Sequence, residues 1–442
     1  MSDSPPHDGP GGPTDTRRRE MPGANPRAIQ GLPESLLGWW REAPTASRRT
    51  LWAAGLGWML DAFDVMLYAM VLAELLTGLG MTKATGGLLG SLTLLASAAG
   101  GMIFGVVADR LGRVRALIWS ILIYSVFTAA CGLAQTVTQL AVFRICLGLG
   151  MGGEWASGAA LVSETWPSAH RGKAMAFMQS FWAVGYAAAA LVAALVLPAW
   201  GWRGVFLVGV LPALFTLWIR RRVEESPIWR RQSQLPPDRT AALGRLWREG
   251  LLPVTGVVTL MNACTMFAWW GFNLWVPAYL TLKAGQGGAG LTTWLTSGLV
   301  IFMQLGMWLG YLSFGFLADR FGRKRTYVAF LLGAALGITL YSAARDPWWL
   351  LGLGPVVAFF GTGYFSGFGA LTAELYPTAI RATAQGFTYN LGRVASAAAP
   401  FWIGSLAQVH GFGAAFLVVA AAFLLAAVWW VWIPETRGRE LT

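Results

Sequence analysis

The stretch GVVADRLGRVR at residues 105–115 returns as GFLADRFGRKR at residues 315–325, and these two copies decide the fold. A second pair has the same spacing, because ETWPSAHRG at residues 164–172 returns as ELYPTAIRA at residues 374–382. Both pairs are separated by 210 positions, so two different motifs keep one register across half of the chain. Such a repeat predicts two homologous bundles around a shared axis.

The segments around these motifs are strongly apolar. The 442-residue chain is 55% hydrophobic and 12% charged, whereas a soluble domain carries about 25% charged residues. Its net charge of +12 comes from small basic clusters between apolar runs, which argues against the basic surface of a nucleic-acid-binding protein. Cys131, Cys146 and Cys264 lie in apolar runs without metal-ligand spacing. The composition therefore predicts a membrane protein without a metal site.

Apolar runs long enough to cross about 30 Å of hydrocarbon occur six times on each side of a polar stretch at residues 221–250. We expect an all-α polytopic fold of two pseudo-symmetric six-helix bundles, residues 49–220 and 251–433, joined by that stretch as a cytoplasmic linker. Residues 1–48 and 434–442 are expected to be cytoplasmic tails, the first disordered because it is rich in Pro, Gly and charge. The predicted spans are 51–76, 84–108, 115–134, 138–162, 172–197, 203–220, 251–282, 291–317, 325–343, 348–373, 381–408 and 411–433.

Basic residues predict the orientation, because loops on the cytoplasmic side are enriched in Lys and Arg. One set of alternate loops and the C-terminal tail hold Arg110, Arg113, Arg115, Arg171, Lys173, Arg320, Arg323, Lys324, Arg325, Arg381, Arg437 and Arg439. The opposite loops hold Lys83, Arg203, Lys283 and Arg345. We therefore expect both termini in the cytoplasm. The bias toward Arg, Ala and Gly suggests a bacterial source, and hence the cytoplasmic (inner) membrane.

The two copies at residues 105–115 and 315–325, which we call the signature loops, share a pattern of Gly, Asp and Arg. This pattern resembles the signature loop of the major facilitator superfamily. This resemblance covers about residues 50–435 and implies a midplane substrate site and alternating access. WMLDAFD at 58–64, GLGMGGEW at 148–155, SETWP at 163–167 and GFTYNLGR at 386–393 further resemble proton symporters for sialic acid, aromatic acids and other organic acids. The resemblance implies proton-coupled uptake of a small organic acid anion. The pattern residues are Gly105, Asp109, Arg110, Gly112, Arg113, Gly315, Asp319, Arg320, Gly322 and Arg323.

The signature loops are candidates for a gate on the cytoplasmic face. Glycine permits close helix approach, and a carboxylate at a helix end can pair with a guanidinium group. We expect ion pairs from Asp109 to Arg113 and from Asp319 to Arg323 to stabilise the state closed toward the cytoplasm. The alternative is that these are solvated charges needed only for orientation. The second motif adds Glu164, Arg171, Glu374 and Arg381 to the gating candidates.

Charged residues inside the predicted spans are few, and each costs about 2.5–3.5 kcal/mol at the centre of a membrane helix. Asp61 and Asp64 lie three apart on one face of the first span, while Arg144 and Glu154 lie on the fourth. Close carboxylates do not both ionise easily at low dielectric, so Asp61, Asp64 or Glu154 is expected to carry the proton. Arg144 precedes a Gly-rich run that resembles the superfamily's fourth-helix motif, and is expected to assist coupling. The alternative is that these acids only pair with Arg144 or serve packing, and that Arg144 has a structural role.

Arg393 on the eleventh span has no acidic neighbour on its own span. A planar guanidinium suits bidentate capture of a carboxylate, so we expect Arg393 to bind the substrate with help from Asn390. The cavity is also expected to be lined by Trp269, Trp270, Phe272, Asn273 and Gln304. For the aromatic residues the alternative is packing between helices or contact with lipid. The alternative is an ion pair from Arg393 to Asp61 or Asp64. Sialic acid, lactate, an aromatic acid and a dicarboxylate all satisfy one arginine in a polar cavity.

Other functional classes lack support in the sequence. No P-loop or nucleotide fold appears, so we expect the proton gradient to supply the energy, with no cofactor. No nucleophile and base constellation indicates an enzyme. A proton-driven drug or metabolite efflux antiporter is the main alternative, although the fifth span lacks the Gly-Pro pattern that would resemble drug antiporters. A nutrient receptor would need a larger cytoplasmic extension. We expect a monomer that contacts its substrate, protons and lipid, and no nucleic acid.

Overall fold

The computed structural model describes residues 38–166, 170–226, 229–230, 250–376 and 381–437, and all regular secondary structure in these ranges is helical. Helix α1, Gly38–Glu42, belongs to a unit of its own, and a second compact unit begins at Ala43. The helices of this second unit are α2 (Thr45–Gly78), α3 (Lys83–Leu111), α4 (Arg113–Gly132), α5 (Val137–Thr165), α6 (Arg171–Val208), α7 (Pro212–Arg222), α8 (Leu252–Thr281), the short 3-10 helix η1 (Ala284–Gln286), α9 (Thr293–Phe321), α10 (Arg323–Ala343), α11 (Pro347–Thr362), α12 (Phe365–Leu375), α13 (Arg381–Ser396) and α14 (Ala399–Trp429).

Helix starts repeat with the spacing of the sequence motifs. The Thr82 side chain accepts a hydrogen bond from the Thr85 backbone N–H at the start of α3. The Thr292 side chain accepts one from the Leu295 N–H at the start of α9, 210 positions later. Such caps satisfy backbone donors that have no partner within the helix. The repeat therefore fixes where helices begin as well as which motifs follow them.

Helix breaks repeat with the same spacing. Gly112 separates α3 from α4 with φ 111°, and Gly322 separates α9 from α10 with φ 100°. Gly201 interrupts α6 with φ 63°, and Gly411 interrupts α14 with φ 80°. Backbone with such positive φ strains residues that carry a Cβ atom, so glycine is favoured at all four breaks. The two pairs show that the backbone breaks its helices at corresponding residues in the two halves.

Helix length and hydropathy support a multi-pass membrane protein. Among the described residues, nine helical segments are long and apolar enough to cross a membrane. Two of them, Gly172–Ile219 and Ala384–Trp429, are 48 and 46 residues long, each enough for two crossings of about 20 residues. Gly201 and Gly411 break these two segments. The exact count of twelve spans and the division into two bundles stay predictions.

Several predicted spans are interrupted in the structure. The tenth span breaks between α11 and α12 at Gly363 and Tyr364, beside Gly361. The eleventh breaks between α13 and α14, where Pro400 lies in the first turn of the new helix. Glycine and proline are the usual causes of such breaks. Residues 38–42 and 45–48, which the sequence assigns to the N-terminal tail, are helical. Residues 1–37 and most of the linker lie outside the described residues, so the domain boundaries stay predictions.

Helices of the two predicted halves pack against one another in five pairs among the described residues. Contacts join α2 to α8, α3 to both α13 and α14, and α6 to both α9 and α12. Within the first half, α3 packs on α5 through small residues, since a Cβ atom on Gly100 would overlap the backbone of Leu149. Close approach through small residues is the usual basis of helix association in membranes. Together with the contacts of α2 on α5 and α6 and of α8 on α13, these contacts bring α2, α5, α6, α8 and α13 around one central region.

Candidate functional site

Glu154 on α5 lies against α2 because α2 has a glycine at the contact. The Glu154 side chain is fully buried, and a Cβ atom on Gly57 would lie 2.6 Å from its Oε1 atom. Gly57 precedes Asp61 by four residues, so both lie on one face of α2. This packing brings Glu154 close to Asp61, and the two carboxyl groups interact electrostatically.

Arg393 on α13 faces these two acids from the other half of the chain. The residue is 4% exposed and interacts electrostatically with both Asp61 and Glu154. In the described ranges, no ion pair shorter than 4.0 Å joins it to a carboxylate. Arg393, Asp61 and Glu154 therefore form a buried ionic group in which the arginine makes no close ion pair with either acid. We call these three residues the central ionic group.

The acids of this region carry oxygen atoms without protein partners. Oδ2 of Asp61 and both carboxyl oxygens of Glu154 are buried and accept no hydrogen bond from the described part of the chain. The Asp64 carboxyl group is also buried, beside the Thr128 hydroxyl, which donates to Tyr124 O. A buried carboxylate without a partner is costly, so each needs a proton, a cation or a donor from a ligand. Asp64 also interacts electrostatically with Asp61. The arrangement suits groups that take up and release a proton.

Arg144 is held by different residues. Its Nε atom donates to Thr93 Oγ1 at 2.9 Å, and its guanidinium carbon lies 3.9 Å from the ring centroid of Tyr68. Its Nη1 atom is buried without a hydrogen-bond partner among the described residues, and no ion pair in these ranges joins Arg144 to an acid. The alternative that Arg144 forms close ion pairs with the buried acids therefore does not match the described geometry.

The predicted substrate amides each donate to their own helix. Asn390 donates to Gly386 O, Asn273 to Trp269 O and Gln304 to Val300 O, each four residues earlier. No hydrogen bond in the described ranges joins these amides to Arg393. The structure thus brings together the charges of the central region, while none of the three amides is hydrogen-bonded to Arg393 in the described ranges.

Four tryptophans meet beside the central ionic group. Ring centroids are 4.7 Å apart for Trp58 and Trp182, 5.6 Å for Trp182 and Trp269, and 4.7 Å for Trp269 and Trp270. We call these four residues the indole cluster. Trp269 and Trp270 were expected at the cavity, whereas Trp58 and Trp182 were missed. Trp58 could have been found in the sequence, because it precedes Asp61 by three residues and therefore lies on the same face of the first span.

The central charges do not follow the repeat. The spacing of 210 holds for caps, glycine breaks and signature loops between residues 82 and 225. Applied to Arg144, Glu154 and Arg393, it leads to Gly354, Tyr364 and Ala183. The repeated residues therefore build the scaffold, while the charges of the central region are particular to one half.

The signature loops are held by ion pairs at both copies. Arg113 pairs with Glu164 at 3.0 Å, and Arg323 pairs with Glu374 at 2.9 Å. Arg323 also pairs with Asp319, as the spacing predicts. The acids of the second motif are thus partners of the signature arginines. The side chains of Asp109, Arg171 and Arg381 lie outside the described residues, while Arg110 and Arg320 are exposed.

Two further acids complete these loops and were missed in the sequence. Glu225 accepts hydrogen bonds from the backbone N–H groups of Arg113 and Val114 at 3.0 and 3.1 Å. Glu435 accepts those of Arg323 and Lys324 at 2.8 and 3.1 Å. A carboxylate at a helix start is favoured by the free N–H groups and the helix dipole. The spacing of 210 between the two acids is the signal that would have found them.

The close approach expected at Gly105 and Gly315 is not present. A Cβ atom on either would meet no atom of the described chain within 4 Å. Gly87 lies on the same face of α3 as Gly105, five helical turns earlier, and a Cβ atom there would overlap the Pro400 carbonyl oxygen. At the intermediate Gly101 the nearest group from the other half is Asn390, at 3.9 Å. Thus α3 and the facing chain diverge toward the signature loops, and close approach at these glycines in the state closed toward the cytoplasm stays a prediction.

Comparison with known proteins agrees with this architecture. The chain is 32% identical over 391 residues to the sialic acid transporter NanX of Escherichia coli, covering 87% of this chain and 93% of that one. It is 32% identical over 383 residues to a cis,cis-muconate transport protein of Acinetobacter baylyi, covering 85% and 91%. Its fold matches the xylose transporter XylE of E. coli with a TM-score of 0.72 at 21% identity, over 90% of this chain and all of that one.

The family profile described as the Major Facilitator Superfamily matches residues 54–313 and 290–442. Together these matches span the described helices from the middle of α2 onward. The relatives are transporters, and the multi-pass helical fold fits transport, not enzymatic catalysis. The chain belongs to the Major Facilitator Superfamily of membrane transporters.

Proposed function

We propose that the protein takes up a small organic acid anion together with protons, by alternating access. The observation that carries this proposal is the central ionic group, in which Arg393 of the second half faces Asp61 and Glu154 of the first. A site shared by both halves lets one ligand respond to their relative movement. The charges are buried, so binding of a proton or of the substrate at any one of them alters the electrostatic energy of the others.

Arg393 supplies the substrate contact in this proposal. Its guanidinium presents a planar fork that matches a carboxylate, and no carboxylate of the described chain lies within 4.0 Å of it. Sialic acid and cis,cis-muconate, named for two relatives, are both carboxylic acids. A substrate carboxylate between Arg393 and a protonated Asp61 would neutralise the arginine without leaving two acids ionised together.

Asp61, Asp64 and Glu154 supply the proton sites. Their carboxyl groups are buried next to one another, and ionising all three together would be costly. Binding of the anion to Arg393 removes a positive charge from this region, which favours protonation of the acids. Binding of the anion therefore favours binding of the proton, and binding of the proton favours binding of the anion. One proton moved through 100 mV supplies about 2.3 kcal/mol, and each pH unit adds about 1.4 kcal/mol.

The divergence of α3 from the facing chain fits one state of the cycle. The halves touch at Gly87 and separate toward Gly105 in the signature loop. With the orientation predicted from basic residues, this is a state open toward the cytoplasm. The ion pairs at Glu164 and Glu374 would then rearrange as the cytoplasmic side closes. We propose that the protein works as a monomer in the inner membrane, with both termini in the cytoplasm.

Uptake by proteoliposomes tests this function. A panel of radiolabelled organic acids is offered with and without an inward proton gradient, to wild type, Arg393→Lys and Arg203→Lys. We expect gradient-driven accumulation of at least one acid, and a half-saturating concentration about tenfold higher for Arg393→Lys, because a point charge replaces the fork. Arg203 is the matched control, since it lies over Trp202 away from the central region. Absence of acid uptake together with export of cationic compounds would instead indicate an antiporter.

A further inference from the structure

The indole cluster spans the boundary between the two halves. Trp58 and Trp182 come from α2 and α6, while Trp269 and Trp270 come from α8. Every member is at least 94% buried. The rings meet mostly edge to face or tilted, with centroid distances of 4.7–6.0 Å. Flat aromatic surfaces from both halves therefore meet at one place near the membrane centre.

Three members of the cluster have an indole N–H group without a partner. The Nε1 atoms of Trp58, Trp182 and Trp269 are buried and donate to no acceptor in the described chain. A buried donor without an acceptor is costly, and buried indoles usually find one. Trp166 and Trp275 show this, since they donate to Ser47 O and Pro400 O at 2.9 Å. Two other unpartnered indoles, Trp429 and Trp430, lie apart at the end of α14.

The cluster adjoins the central ionic group. Trp58 and Asp61 are three residues apart on α2, so one helical turn separates them on the same face. Asp61 in turn interacts electrostatically with Arg393. A molecule whose carboxylate meets Arg393 would thus have the rest of its body next to the indoles. The three indole N–H groups that lack a protein acceptor belong to the same cluster and are available to an acceptor on that part of the molecule.

We propose that the indole cluster is a second part of the substrate site and selects flat, conjugated carboxylates that carry another hydrogen-bond acceptor. This inference rests on the proposed function. The conjugated body lies between indole rings and replaces contacts between them, while the additional acceptor receives an indole N–H. Among the relatives' named substrates, cis,cis-muconate is flat and has two carboxylates, whereas sialic acid is bulky and not flat. The indole cluster favours flat acids such as cis,cis-muconate over bulky acids such as sialic acid.

Binding of matched acids to the purified wild-type protein, measured by calorimetry at one pH, tests the inference. Benzoate and cyclohexanecarboxylate differ in flatness, and pyridine-3-carboxylate adds a ring acceptor to benzoate. We expect benzoate to bind about threefold to tenfold more tightly than cyclohexanecarboxylate, and pyridine-3-carboxylate more tightly again by a similar factor. Equal affinity for the flat and puckered rings, or tightest binding of sialic acid, would overturn the inference.

Variants separate the N–H groups from the rings. Trp58→Phe, Trp182→Phe and Trp269→Phe keep an aromatic ring and remove the donor, so we expect the preference for pyridine-3-carboxylate over benzoate to fall toward one. Trp308→Phe is the control, since Trp308 is 39% exposed on α9 and should keep the preference. An unchanged preference in all three cluster variants would contradict the role of the donors. If a variant does not fold, the wild-type series still decides.

The outcomes distinguish the two proposals. If acids accumulate with the proton gradient but flat and puckered acids bind equally well, the proposed function stands and the indole inference fails. If no organic acid binds or is transported, the proposed function fails and this inference fails with it.

Discussion

The carboxylate of Glu154 occupies the space that Gly57 leaves open on α2, with Oε1 2.6 Å from where a Cβ atom would lie. This one contact places a buried acid of α5 next to Asp61 and so builds half of the central ionic group. A methyl group there would force the carboxylate away from α2. The position of Glu154 therefore depends on a residue that carries no charge.

Gly57→Ala should lower the stability of the protein and its uptake more than a glycine substitution at an uncrowded position. Overpacking a buried contact costs about 1–3 kcal/mol, and the displaced carboxylate should also reduce proton-coupled uptake. Gly256→Ala is the control, because an added Cβ atom there meets no described atom within 4 Å. Thermal unfolding in detergent and uptake by proteoliposomes check both effects. Equal behaviour of the two variants would show that the contact is unimportant.

Neutral variants of the buried acids should uncouple transport from the proton gradient. Asp61→Asn, Asp64→Asn and Glu154→Gln each remove one possible proton site from the central region. We expect at least one of them to lose accumulation driven by an imposed pH gradient while still exchanging substrate across the membrane. Glu74→Gln, an exposed position on α2, should respond like wild type. Retained gradient-driven accumulation in all three variants would reject these acids as proton carriers.

Glu435 should make the stability of the protein at the second signature loop decrease at low pH. Burial alone would raise the pKa of Glu435, but backbone N–H groups of Arg437, Arg323, Lys324 and Thr436 hold its pKa below the ordinary value. A lowered pKa stabilises the fold above the unfolded pKa of about 4.3, and this contribution is lost as pH falls through the folded pKa.

Glu435→Gln should therefore lower the melting temperature at pH 7 and have progressively less effect below about pH 4.3. Melting curves of both proteins across that pH range measure the difference. A difference that stays constant with pH would indicate that the charge of Glu435 does not stabilise the start of α10.

Lys83 should hold the halves together on the side opposite the signature loops. Its Nζ atom donates to Gln286 O at 2.7 Å and to Ala407 O at 3.3 Å, so it joins α3 to two segments of the second half. Lys83→Met removes both bonds and should favour opening on that side. Lys283→Met, an exposed lysine of the neighbouring loop, is the control.

Labelling of a cysteine introduced at Ser91 measures this opening, because Ser91 accepts a hydrogen bond from Phe401 N between the halves. In a background without the native cysteines, a membrane-impermeant thiol reagent should modify Ser91→Cys several-fold faster with Lys83→Met than with Lys283→Met. Equal labelling rates would mean that Lys83 does not hold this side closed.

The sequence predicted the scaffold well because the scaffold depends on local and repeated features. Thr82 and Thr292 cap corresponding helices, and Gly112 and Gly322 end corresponding helices, since a cap or a positive φ is set by one residue and its neighbours. The superfamily and its transporter class followed from the signature loops and are confirmed by the family match.

The site was less predictable because its contacts depend on how helices rotate and pack. The sequence singled out Asp61, Glu154 and Arg393 as charges inside predicted spans, and the structure brings them together. The meeting of Trp58 with Trp182, and of Glu154 with Gly57, joins residues that are far apart in the sequence. Hydrophobic periodicity carries no information about such pairs, so only the packed structure reveals them.

The most direct test of proton-coupled acid uptake records proton and acid movement together. Wild type and Asp61→Asn are reconstituted in proteoliposomes that contain a pH-sensitive dye, and uptake of a labelled organic acid is followed at the same time. We expect protons to enter wild-type vesicles with the acid, and Asp61→Asn to weaken this coupling. Protons leaving as the acid enters, or acid uptake without any proton movement in wild type, would contradict proton-coupled uptake.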